Sequence, residues 1–169
     1  HTDFAPLDDI QIGLLRYLWH KYEHVSYERV CSGLAIPDVY AYLKESGYGD
    51  EPAWLAEQLA AAEDPTPVII GAAQDPDADC RLCRATLDLF CDVLAAEAGN
   101  MACKFLPWSG VFIAGGIPPR ILPALQTPRF LEIYAAKGRM REVVERIPLY
   151  VVLNTKVGVL GGAWYALTR

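Results

Sequence analysis

Long apolar runs are the first thing this sequence lacks. None approaches the roughly 20 residues that a membrane-spanning helix needs. The two best, 68–73 and 111–114, are strand-sized. No membrane partner is therefore expected. A basic surplus is lacking too: 15 Lys and Arg against 21 Asp and Glu leave a net charge of −6, and no basic run or stripe stands out. With no clustered cations to neutralise phosphates and no helix-turn-helix extension, a nucleic-acid partner is not expected either. There is no Gly-x-Ser-x-Gly elbow, no Walker A loop and no His-Glu-x-x-His, which removes three common hydrolase and NTPase signatures. The sequence starts at His1, without Met, and shows no basic start with an apolar stretch of the signal-peptide kind. The expectation is a cytoplasmic chain that is processed or cut from something longer. Its 5 Cys, an odd count without a secretory signal, fit reduced thiols.

The 169 residues are enough for one real core. Apolar residues at 53% and charged residues at 21% are ordinary for a globular domain. Pro6 followed by Asp8 and Asp9 makes a helix start, and Ile10, Leu14, Leu15, Leu18 and Trp19 give a helical apolar stripe, predicting a helix over 8–22. Ser26 can cap a second helix with Glu28 in its first turn, and Pro37 can open a third. An Ala-rich helix over 54–63 should stop at Pro65 and Pro67. The longest predicted helix is 80–98, with Leu87, Phe90, Cys91 and Leu94 in helical register. Two buried strands follow, 111–114 and 149–153, separated by short helices broken at Pro123 and Pro128 and a polar helix over 137–145. A small-residue helix over 158–167 closes the chain. Strands followed by helices point to α/β units. Two strands alone make a poor sheet, so further strands are expected upstream.

Three places could carry chemistry. In Gly110-Val-Phe-Ile-Ala-Gly-Gly-Ile-Pro-Pro-Arg120 a strand runs into Gly115 and Gly116. Ligands in open α/β folds sit at the carboxyl ends of strands, and glycine lets a backbone approach them closely. The pair reads either as a nucleotide contact or as a turn that needs positive φ. In His24-Val-Ser-Tyr-Glu28-Arg-Val-Cys-Ser-Gly33, Glu28 lies at a predicted helix N-terminus. There the helix dipole favours a carboxylate, which can accept hydrogen bonds from two sugar hydroxyls. A first-turn Glu that only supports its helix is the plainer alternative. His1 offers one donor and one acceptor to a hydroxyl, or is a trivial terminal residue. His20 and His24, four apart, could share a helix face, but no third metal ligand is evident. Cys80-x-x-Cys83 falls on a strong helix with no second Cys pair, so a zinc site is not expected.

Together these stretches resemble the bacterial glucokinase family, of the actin/hexokinase/Hsp70 superfamily. The resemblance runs through His1-Thr-Asp-Phe-Ala-Pro6, the His24–Gly33 stretch, Cys80-Arg-Leu-Cys83 with Leu-Asp-Leu-Phe-Cys91, and the Gly110–Arg120 stretch. It continues in Lys137-Gly-Arg-Met, Ile147-Pro-Leu-Tyr and Gly158-Val-Leu-Gly-Gly162. It implies an α/β fold, the C-terminal large-domain part of a ribonuclease-H-like build, helix-rich with a short sheet. It also implies phosphorylation of glucose at its 6-hydroxyl by ATP with Mg²⁺. His1 looks like the family's sugar-binding His after Glu-Gly-Gly, Glu28 like its second sugar-binding carboxylate, and Gly115-Gly116 like the adenosine motif. The family's Asp-x-Gly-Gly-Thr phosphate loop and its catalytic Asp do not occur in 1–169. Residues 1–169 are thus expected to be the C-terminal sugar- and nucleotide-binding portion, inactive when isolated and homodimeric in the intact protein. The rivals are a non-catalytic sugar-binding fragment of the same family and a plain interaction module.

Overall fold

The first helix begins where the acids place it. In α1, Asp9–Trp19, Asp8 is the N-cap and its Oδ1 accepts from the Gln11 amide at 2.8 Å. Gln11 in turn accepts from the Leu7 amide at 3.0 Å, so one open donor of the helix start and the amide just before its cap are satisfied together. Gln11, Leu14 and Leu18 form the buried face. The helix ends three residues short of the predicted 22, and Trp19 is 58% exposed. One residue step turns a helix by about 100°, which carries Trp19 off the face centred on Leu18.

The computed structural model describes residues 1–169. It divides into two compact units, 1–94 and 95–169. Unit 1 holds α1, then α2 (Ile36–Glu45), α3 (Ala53–Ala61) and α4 (Thr66–Gln74). Pro37 lies in the first turn of α2, as expected. Tyr42 on α2 donates its hydroxyl to the Ile10 carbonyl at 2.9 Å. It crosses α1 at Gly13, where any Cβ would collide with that hydroxyl. The strand-sized run 68–73 is helical, lying within α4. Pro67 opens this helix instead of only ending the one before, and Asp64 Oδ1 accepts from the Thr66 amide at 2.9 Å. A buried helix and a buried strand share the same apolar composition, and here the Pro in the first turn accompanies the helix.

Helix α5, Arg81–Phe105, is longer than the predicted 80–98, and the unit boundary falls within it. Cys80 lies just before it, fully buried, with Sγ accepting from the Cys83 amide at 3.3 Å. All five cysteines are free thiols. Burial pushes the Cys91 thiol up to about 12 and also raises that of Cys83, and thiols reach reagents as thiolates. Native full-length protein should therefore react with a disulfide reagent first at the partly exposed Cys31 and Cys103. Cys80, Cys83 and Cys91 should be labelled only on unfolding, as peptide mapping would show.

Unit 2 carries β1 (Val111–Ile113) and β2 (Leu149–Val151), paired in parallel with Val111 opposite Leu149 and Ile113 opposite Val151. Between them run α6 (Leu122–Leu125), α7 (Pro128–Ala135) and α8 (Arg141–Val144), and α9 (Val157–Thr168) ends the chain. The strands are less buried than their composition predicts. Ile113 is buried, but Phe112 and Tyr150 are exposed and stack at 5.0 Å. Pro123 and Pro128 lie in the first turns of α6 and α7, so they open helices where breaks were expected. The predicted helix over 137–145 divides into a 3-10 turn, Gly138–Met140, and α8. Gly138 has φ of +54°, a left-handed conformation that a continuous right-handed helix cannot contain. No helix is long and apolar enough to cross a membrane.

Candidate active site

The N-terminal arm positions the first candidate. The Phe4 amide donates to the Val25 carbonyl at 3.1 Å, and the Tyr27 amide to the Thr2 carbonyl at 3.0 Å. Asp3 and Ser26 form an antiparallel bridge. Phe4 is buried and meets Tyr27 edge-on at 5.8 Å, while His24 Nε2 lies 2.6 Å from Asp3 Oδ1. One further step along this register sets residue 1 opposite residue 28. There His1 Nδ1 approaches Glu28 Oε2 at 3.2 Å. Their side chains remain 80% and 56% exposed, so both stay open to a ligand. An ion pair this exposed contributes little to stability.

The predicted helix at Glu28 is a three-residue 3-10 turn, Tyr27–Arg29, and Ser26 forms no capping bond with its side chain. A single turn sums too few peptide dipoles to act as a helix terminus. The antiparallel register, not a helix dipole, therefore places Glu28. His20 and His24 do not share a helix face, because α1 ends at Trp19 and His24 turns to Asp3.

Glu28 lies on the rim of a concavity of about 180 Å³, lined also by Arg29, Ser32, Leu34, Ala35 and Asp38. Asp38 is buried and accepts from Lys21 Nζ and from the Tyr22 hydroxyl at 2.7 Å. Arg29 stacks its guanidinium over the Tyr22 ring at 4.0 Å. Asp38 was not singled out from sequence. Its place in the first turn after a helix-opening Pro was the available signal, but its partners lie 16 and 17 residues away. Two larger hollows, of about 340 and 440 Å³, flank β2 in unit 2. They are mostly apolar and contain neither candidate set.

Gly115 and Gly116 follow β1 and are exposed. Their reasons for being glycine differ. Gly115 has φ of +133°, which L side chains rarely adopt. Gly116 has no such φ, and a Cβ there would meet nothing within 4 Å. The turn reading thus accounts for Gly115 and leaves Gly116 without a structural reason. No group of three or more His, Cys, Asp or Glu side chains converges in the structure.

The glucokinase family model matches residues 1–169, the whole chain. The chain belongs to the glucokinase family. It is 42% identical over 174 residues to a glucokinase of Nostoc punctiforme, covering 96% of this chain and 51% of that protein. A Synechocystis glucokinase is 38% identical over 181 residues, with 96% and 49% covered. A crystal structure of glucokinase from an Antarctic psychrotroph matches with a TM-score of 0.76 at 28% identity, over 100% of this chain and 49% of that one. The chain spans about half the length of the curated relatives it matches. The fold is a C-terminal part of the actin/hexokinase type, helix-rich with a short parallel sheet.

Within the glucokinase family, Gly116 offers a clean probe. Gly116→Ala in the full-length protein should leave Tm unchanged, because its Cβ enters open space. If the nucleotide approaches this backbone, KM for ATP should rise severalfold while KM for glucose stays constant. Unchanged kinetics for ATP would return Gly116 to an ordinary turn.

Proposed function

We propose that this chain is the hexose- and nucleotide-binding portion of a glucokinase, which transfers the γ-phosphoryl of ATP to the 6-hydroxyl of glucose. The observation that carries this is the His1–Glu28 pair, 3.2 Å apart beside a small polar concavity, in a chain matched end to end by the family. Glu28 accepts hydrogen bonds from sugar hydroxyls, and the imidazole of His1 offers a donor and an acceptor to a neighbouring one. Gly116, and the turn made at Gly115, let the adenine nucleotide lie against the backbone.

Phosphoryl transfer depends mainly on positioning and electrostatics. On this reading the present residues bind and orient, and an Asp from the family's N-terminal portion takes the proton of the 6-hydroxyl. No group of three or more His, Cys, Asp or Glu side chains gathers into an all-protein cation cage. Mg²⁺ would come with ATP, held largely by its phosphates. The five free thiols support a reducing cytoplasmic setting, and family habit makes a homodimer the expected assembly. The test is ADP release by the full-length protein, which should require glucose. Folded protein giving no calorimetric signal with glucose or with an ATP analogue would instead identify an interaction module.

A further inference from the structure

We infer that the hydroxyl of Ser32 is a further sugar contact, in the same concavity as Glu28; this rests on the hexose-binding reading above. Among buried side-chain nitrogen and oxygen atoms, only Ser32 Oγ has no hydrogen-bond partner. Its neighbourhood is otherwise satisfied. Thr66 Oγ1 donates to the Gly33 carbonyl at 2.9 Å, and Asp38 accepts from Lys21 and Tyr22. Ser32 also occupies the N-cap position of the 3-10 turn Gly33–Ala35, where a serine normally bonds a following amide. Its carbonyl accepts from the Ala35 amide at 3.1 Å, but its side chain makes no capping bond.

A buried hydroxyl without a partner is destabilising. For the fold alone, alanine would therefore serve at least as well at this position. The serine and Glu28 both line the concavity. One χ1 step between staggered wells redirects its hydroxyl. A hexose presents hydroxyls that both donate and accept, which matches what Ser32 offers. A site that pairs hydroxyls with buried polar groups discriminates strongly against analogues that lack them. Ser32 thereby becomes a specificity-determining residue, its hydroxyl satisfied only when sugar is bound.

The experiment uses the full-length enzyme with Ser32→Ala, measuring Tm and the KM for glucose and for a set of monodeoxyglucoses. Tm should hold or rise, because alanine removes the unsatisfied group. KM for glucose should rise about fivefold, the worth of one neutral hydrogen bond. One deoxyglucose, lacking the partnered hydroxyl, should show no further loss in the variant. A glucose KM equal to wild type, or a fall in Tm, overturns the inference, the latter by revealing a structural partner. Equal weakening toward every deoxy sugar overturns it as well. Glu28→Gln is the control: if it raises KM while Ser32→Ala does not, only the Ser32 contact is lost. If neither variant changes KM, the hexose site itself is misplaced.

Discussion

Glu28→Gln in the full-length protein should lower kcat/KM for glucose by roughly 10- to 100-fold, leaving Tm and the KM for ATP near wild type. The amide keeps the size of the side chain but loses its charge. Hydrogen bonds to a charged acceptor contribute about 1.5–3 kcal/mol, against about 1 for neutral ones. Glu28 is exposed and its contact with His1 is solvent-screened, so folding should not register the change. Part of the loss should fall on kcat, since a mispositioned 6-hydroxyl reacts slowly even when bound. Steady-state kinetics with each substrate varied separately decides the matter. Wild-type constants would remove Glu28 from the site.

Gly99→Ala should destabilise the protein, and it tests unit 2. Gly99 lies in α5, where the Tyr134 carbonyl and the Lys137 side chain approach the helix too closely for a Cβ. Lys137 Nζ donates to the Ala96 carbonyl at 2.8 Å and to Asn100 Oδ1 at 2.9 Å, and burial lowers its pKa from the usual lysine value. A methyl group at residue 99 pushes on backbone that the end of α7 holds in place, and it displaces this lysine. Overpacking costs about 1–3 kcal/mol, against which alanine regains up to about 1 kcal/mol in helix propensity. The net should appear as a Tm lower by several degrees. Gly71→Ala in α4 is the matched control, because a Cβ there meets nothing. It should raise Tm slightly through propensity alone. Calorimetry on both variants gives opposite signs if the packing is as described. A Gly99→Ala protein as stable as the control would show that the approach of α7 relaxes freely.

The helices were the legible part of the fold because their determinants are local. Asp8 before α1, Pro37 in α2 and the i, i+3, i+4 spacing of Leu87, Phe90 and Cys91 act within a turn or two of chain. Errors arose where one local signal had two uses. Helix α3 ends at Ala61, before Pro65 and Pro67 are reached, and Pro67 lies in the first turn of α4, so the strand-sized apolar run behind it is helical. Pro123 and Pro128 likewise lie in the first turns of the helices they open. Phe112 and Tyr150 have strand composition, but composition does not report how much covers a strand.

The sequence by itself determined the family, several of the helices and the candidates His1, Glu28, Gly115 and Gly116, because motif spacing and helix-start signals are written along the chain. Tertiary structure alone decided that residue 1 meets residue 28, through an antiparallel register between segments more than 20 residues apart. It also decided that Ser32 is left unsatisfied beside them, and that Gly115 answers to φ while Gly116 does not. The physical reason is that register, hydrogen-bond satisfaction and backbone dihedrals depend on which distant groups arrive, and no local pattern encodes that arrival.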